Sequence, residues 1–153
     1  MHDGCIWLLD TRAGAGMLPC MQEKSSVCGL LALSDSHGII SASMGGHLSR
    51  WDLRSPARPL LSFPHHVNSC SMIAPTMDAT ERLLFAGGRD GRLRAWDLAK
   101  GSLLLETEAG SKAPPRVAAA PDWGERPWLG GPLWVSTEEQ PLSRLETMTL
   151  GVR

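Results

Sequence analysis

No block of five or more like charges occurs in the 153 residues, and the formal net charge is -1. Such a surface exerts little pull on polyanions, which argues against nucleic acid as a ligand. No apolar stretch is long enough to span a bilayer, and the short one at the N-terminus is interrupted by Asp10. Neither a membrane span nor a signal peptide is therefore expected. Helix formers do not recur at a period of about 3.6 residues over more than two turns, which argues against amphipathic helices. The cysteines Cys5, Cys20, Cys28 and Cys70 have no CxxC spacing and sit in apolar runs. They read as small buried hydrophobes in a reducing compartment, with a disulfide framework as the alternative that an even count leaves open.

What the chain does contain is 16 Gly and 11 Pro among short apolar runs, the composition of many strands and turns. An all-β fold follows. Internal repetition is the stronger signal. Residues 39–52, from Ile39 to Trp51-Asp52, lie without gaps over residues 84–97, from Leu84 to Trp96-Asp97. Both run from an apolar strand through small residues and a Gly turn into a strand that ends in Trp-Asp. Asp90-Gly91 between two apolar runs is a hairpin signal, because Gly accepts the positive φ that such a turn needs. Leu93 and Ala95 alternate with Arg92 and Arg94, as a strand with two different faces should. The same frame fits residues 3–10 with Leu9 at the Trp position, and 133–146 with Leu145 there. The equivalent positions 9, 51, 96 and 145 are 42, 45 and 49 residues apart. Those steps bracket the spacing of about 40–45 residues in propeller blades.

These repeat endings resemble the WD40 family, through Trp51-Asp52, Trp96-Asp97 and the Asp90-Gly91 turn, and the likeness covers nearly the whole chain. It implies a WD40 β-propeller, here an incomplete arc of about three to four four-stranded blades. The units are 1–16 (the end of one blade), 17–56 (second blade), 57–101 (third blade) and 102–153 (a degenerate fourth blade). Strands are expected at 17–22, 26–33, 38–43 and 47–52 in the second unit. The third has an outer strand at 59–63, an inner strand at 67–73, then 83–88 and 92–97. The fourth has 103–107, 116–120, 132–136 and 142–148. A large Trp at a strand end suits the wedge between neighbouring blades. Propellers close with about 4–8 blades, and an open arc leaves a strand edge and an apolar face uncovered. The chain is accordingly expected to be a fragment or short form of a longer protein, or to complete its ring with another chain.

The family's structural network joins a turn Asp, a His before the inner strand, a middle-strand hydroxyl and the Trp. Position by position, Asp90 and Trp96 match in the third unit, with His66 (or His65) as the imidazole, but Ala86 replaces the hydroxyl. In the second unit Ser41 and Trp51 match, whereas Gly45 replaces the Asp and no His precedes Val27. Asp52 and Asp97 complete the repeat endings. Ser34-Asp35-Ser36-His37 holds the residue types of a hydrolase triad, but consecutive residues cannot converge on one hydrogen-bonded line, so a turn is expected. His65 and His66 are adjacent, point to opposite faces and have no further ligand at metal spacing. Gly14-Ala15-Gly16 lacks the Lys or third Gly of a phosphate cradle. The arginines 82, 89, 92 and 94 make the third blade locally basic, diluted by Glu81, Asp90 and Asp97, which reads as a solvated surface.

No catalytic site, metal or cofactor is expected. Inner-strand residues Val27, Cys28, Val67, Cys70 and Val117 are not the types that would gather around an enzymatic channel. The resemblance implies a protein-interaction scaffold or adaptor, cytoplasmic or nuclear, whose partners are other proteins and not nucleic acid or membrane. The partner-binding candidates are Met44, Arg89, Glu138 and His65, exposed at the turns before the Trp strands and at the start of the inner strands. Arg and Met are enriched at interfaces. The substrate-recognition part of a ubiquitin-ligase receptor of the F-box/WD kind is the alternative within that class; a propeller enzyme is the alternative outside it.

Overall fold

The computed structural model describes residues 4–9, 17–69, 73–109, 114–119, 133–136 and 143–145. Among them every regular element is a β-strand. The strands are β1 (Cys5–Leu9), β2 (Met17–Gln22), β3 (Val27–Ala32), β4 (Gly38–Ser43), β5 (Leu48–Asp52), β6 (Leu61–Ser62) and β7 (Thr76–Met77). They continue with β8 (Leu83–Gly87), β9 (Arg92–Asp97), β10 (Leu103–Glu108), β11 (Arg116–Ala119), β12 (Leu133–Ser136) and β13 (Ser143–Leu145). All pairings are antiparallel, and they make four sheets in chain order: β1-β2, β3-β4-β5-β6, β7-β8-β9-β10 and β11-β12-β13.

The gap-free repeat is reproduced in the registers. Ile39 faces Trp51 across β4 and β5, and Leu84 faces Trp96 across β8 and β9. Both connecting turns close in the same way: Ser43 N–H donates to His47 O at 2.8 Å, and Gly88 N–H donates to Arg92 O at 2.7 Å. Gly46 and Gly91 hold equivalent places with φ of 80° and 73°, a conformation that costs any residue with a Cβ.

Two strand expectations change. The strand that opens each sequence unit belongs, by hydrogen bonding, to the sheet before it: β2 pairs with β1, β6 with β5 and β10 with β9. Sheets and sequence units are thus offset by one strand, because the connection after Trp-Asp folds straight back on the strand it leaves. Of the inner strand expected at 67–73 in the third unit, residues 70–72 lie outside the described residues, and the described strand that pairs with Phe85 and Leu84 is Thr76–Met77. It follows Pro75, which offers no N–H to a ladder.

The sheets pack face to face, and three apolar seams join them in order. Ile6 and Met21 of the first sheet meet Trp51 of the second. Leu33, Ile40, Ala42, Leu48 and Phe63 of the second meet Leu84, Ala86 and Trp96 of the third. Phe85, Leu93 and Ala95 of the third meet Val135 of the fourth. The central strands are therefore covered on both faces. Trp96 has no exposed surface and stands edge-on to Phe63, with ring centroids 6.3 Å apart. Leu9, at the Trp position of the first sheet, is 54% exposed and Trp7 is 49% exposed. Trp96→Ala is expected to lower unfolding stability by about 3–5 kcal/mol, and Trp7→Ala by about 0.5 kcal/mol or less, as for a surface position. Urea denaturation of the two variants checks this; equal losses would show that the second seam is not a packed core.

Candidate functional site

The chemistry-bearing residues gather at the end of the sheets where β4 turns into β5 and β8 into β9. There the segment His65–Asn68 runs between the two turns and touches both. Gly46 packs on it so closely that a Cβ would meet His66 O at 3.2 Å and Asn68 N at 3.3 Å. On the other side Arg89 N–H donates to Val67 O at 2.8 Å. The turn at 44–47 also reaches back to the loop before β3: Met44 N–H donates to Ser26 O at 2.8 Å and Gly45 N–H to Ser25 Oγ at 2.7 Å. Beyond the third sheet, Gly87 faces Pro115, whose carbonyl carbon would lie 2.9 Å from a Cβ added there. One continuous rim results, with Met44, His65 and Arg89 side by side on it. Met44 is half-buried, His65 (φ 66°) and Arg89 are exposed, and between them Val67 is 42% exposed. Glu138 lies outside the described residues.

Beneath this rim the carried-over network takes a different form in each sheet. In the third, the three residues matched by position are not joined. Trp96 Nε1 donates to Pro64 O at 2.9 Å. Asp90 turns to Arg94, accepting from Nη1 at 3.0 Å and from Nη2 at 2.5 Å. His66 is buried, with neither ring nitrogen hydrogen-bonded among the described residues, and stands edge-on to Trp96 at 6.2 Å. In the second sheet, where sequence reading found gaps, a network exists. Trp51 Nε1 donates to Ser41 Oγ at 2.8 Å, and the Ser41 hydroxyl donates to the buried Glu23 carboxylate. Glu23 N–H in turn donates to Gly4 O at 3.0 Å, which ties the first sheet to the second. Its sequence signal was an acidic residue shortly before the inner strand, where the family pattern asks for a His.

Arg94 corrects the picture of a solvated arginine face. It is 3% exposed, because the sheet is covered on both sides and alternation along β9 does not mean in and out. Its guanidinium is matched by Asp90 and by Glu106, whose Oε2 accepts from Nε at 3.0 Å. A buried cation persists only when paired in this way. The pairing holds both carboxyls below the usual carboxylate range, through Arg94 at Asp90 and chiefly through Arg92 at Glu106. Arg92 is exposed and reaches Glu106 and Glu108.

The opposite end is made of turns capped by their own carboxylates. Asp97 Oδ1 accepts from the N–H groups of Ala99 and Lys100, both at 2.9 Å. Asp52 pairs with Arg54 at 2.7 Å, which holds its carboxyl far down. The 34–37 segment is a turn, with Asp35 Oδ1 accepting from His37 N–H at 2.9 Å, while Ser34 Oγ donates to Glu81 at 2.9 Å in the next sheet. No metal-binding group of three or more His, Cys, Asp or Glu occurs among the described residues. Cys28 carries a free thiol, pushed up by burial.

His66 has a measurable consequence. Burial pushes its imidazole from 6.5 down to about 4, with Arg94 adding to the effect and Asp90 opposing it. The unfolded chain binds a proton on this ring at a pH where the folded chain does not. Stability is therefore expected to fall as pH drops from about 6.5 to about 4, by about 3 kcal/mol, and to lose nothing more from this group below that. Denaturation midpoints across that window test it: His66→Gln should flatten the slope, and an unchanged slope would place the proton uptake elsewhere.

Comparison with known proteins agrees with this architecture. No protein-family model matches the chain. An uncharacterised WD repeat-containing protein of Caenorhabditis elegans is 34% identical over 80 residues, 50% of this chain and 15% of that protein. The DDB1- and CUL4-associated factor 4-like protein 2 of Homo sapiens is 31% identical over 112 residues, 68% of this chain and 28% of that protein. The chain thus spans less than a third of the length of these curated relatives. Among solved structures, the WD40 β-propeller domain of Doa1 superposes with a TM-score of 0.63 at 18% identity, over 80% of this chain and 36% of that one. With its repeat registers, Trp-filled seams and sheet order, the chain belongs to the WD40-repeat β-propeller family.

Proposed function

We propose that the chain is a protein-interaction scaffold or adaptor, and that the rim carrying Met44, His65, Val67 and Arg89 is where a partner docks. The observation behind this reading is their juxtaposition. The turn that carries Met44 packs through Gly46 on the His66–Asn68 backbone, and the turn that carries Arg89 is hydrogen-bonded to Val67 of the same segment. A rigid scaffold that presents short loops is the arrangement binding surfaces use. Met and Arg are residue types that interfaces favour, and an exposed Val beside them adds apolar area.

Binding suits the site better than catalysis, because the carboxylates beneath the rim that could act as acids or bases are already engaged. Glu23 takes the Ser41 hydroxyl, and Asp90 and Glu106 hold Arg94. A second reading, assembly of this chain with DDB1 and CUL4, draws on its likeness to the human DDB1- and CUL4-associated factor 4-like protein 2. Affinity capture with the chain distinguishes the positions involved. Met44→Glu/Val67→Glu is expected to lose the proteins that the unmodified chain retains, while Leu60→Glu, exposed on the outer strand side, keeps them. Equal retention by both variants would remove the rim from consideration, and recovery of DDB1 with the chain would support the second reading.

A further inference from the structure

At the end of β5 away from the rim, residues 53–60 lead into β6 and contain Ser55-Pro56-Ala57-Arg58. Ser55 is the one serine or threonine of the sequence that is followed directly by proline, and Arg58 stands three positions after it. Arg54, Ser55, Ala57, Arg58, Pro59 and Leu60 are all exposed.

This loop is anchored only near its ends. Ser55 N–H donates to Asp52 O at 2.9 Å, and Leu60 N–H donates to Arg50 O at 2.7 Å. Between these bonds, residues 56–59 form no hydrogen bond among the described residues. Pro56 and Pro59 have no N–H to leave unpaired, and Ala57 and Arg58 are open to solvent. A segment so held leaves the surface at little cost, as exposed loop tips do. Arg54 is paired with Asp52 at 2.7 Å, whereas Arg58 forms no ion pair among the described residues. Asp52, Ser55, Arg58, Pro59 and Leu60 line one open cavity of about 420 Å³, so Ser55 and Arg58 border the same space.

We infer that Ser55 is a phosphorylation site for a proline-directed protein kinase that also reads a basic residue three positions on. An enzyme that binds its substrate extended, with no acceptor for the amide after the target serine, selects proline there because any other residue would strand an N–H. Pro56 also disfavours a helical backbone at Ser55, and Arg58 supplies the charge for an acidic pocket further along. In the transfer, Ser55 Oγ forms a bond to the γ-phosphorus of ATP and the bond from that phosphorus to the β,γ-bridging oxygen breaks. ADP leaves with the electron pair, and the hydroxyl proton passes to the base of the kinase. The phosphoserine carries a charge of about −1.5 to −2 where a neutral hydroxyl stood. Arg54 and Arg58 against Asp52 leave the unmodified loop positive, so the modification reverses its sign. It also places three acceptor oxygens beside the unpaired Arg58. The site lies at the opposite end of the sheet from the rim and does not depend on the docking reading.

The test incubates the full chain with ATP labelled on the γ-phosphate and a cyclin-dependent kinase, an enzyme of this class, and locates the phosphate by mass spectrometry. About one phosphate per chain is expected, on Ser55. Ser55→Ala and Pro56→Ala should each lower incorporation at least tenfold, and Arg58→Ala at least threefold. Melting temperatures equal to that of the unmodified chain check that the variants fold, as substitutions outside the core should. Phosphate on other residues with none on Ser55, or Ser55 labelled equally well after Pro56→Ala, would overturn the inference. Labelling of a free peptide of residues 50–62 but not of the folded chain would overturn it too, because the fold would then fail to present the loop.

Discussion

Covering both faces of each central strand is the constraint from which the other features follow. A sheet in the middle of the arc has a neighbour on either side, so β4, β5, β8 and β9 have few positions open to water. The space between adjacent twisted sheets is filled by the indole that closes each repeat: Trp51 between the first and second sheets, Trp96 between the second and third. The two indole N–H groups are then buried donors that must find acceptors, because an unpaired one costs desolvation without return. Trp51 finds Ser41 and Trp96 finds the carbonyl of Pro64. The same constraint explains why a residue as polar as Arg94 sits in the interior with two carboxylates for company.

The rim owes its geometry to those seams. Because the sheets stack in order, the turn of one lies next to the loop that leads into the following one. Close backbone approach marks these junctions, Gly46 on the His66–Asn68 segment and Gly87 on Pro115, while hydrogen bonds from Met44 to Ser26, Gly45 to Ser25 and Arg89 to Val67 tie each turn to the loop entering its own sheet. Function in such a fold resides in what these loops present, and they present it on a base already stiffened by packing. Engagement of the carboxylates beneath the rim stabilises that base.

Much of this was legible in the residues themselves. The Trp-Asp endings, the Asp90-Gly91 turn and the gap-free match of 39–52 on 84–97 led to strands that the registers reproduce. Met44 and Arg89 stand in equivalent turns, both of which contact the segment that begins at His65. What was not legible depends on long-range partners. That Arg94 is interior requires knowing that β9 is covered twice, which alternation along a single strand cannot reveal. That Glu23 serves Ser41 requires the first sheet in place, since Gly4 fixes its backbone. That Asp90 leaves His66 for Arg94 is a competition between two buried partners, and the permanent cation wins over an imidazole whose protonation burial opposes. The one-strand offset between sequence units and sheets is likewise a property of pairing and not of periodicity.

The central claim is that neighbouring sheets are packed together through Trp-filled seams. A double-mutant cycle between Leu48 on β5 and Trp96 on β9 tests it most directly, because these residues share a core but belong to different sheets. Leu48→Ala and Trp96→Leu should couple by about 0.5–3 kcal/mol, as residues packed in one core do. Strict additivity of the two losses would mean that the second and third sheets do not meet there, and the account of the fold and of its rim would not survive it.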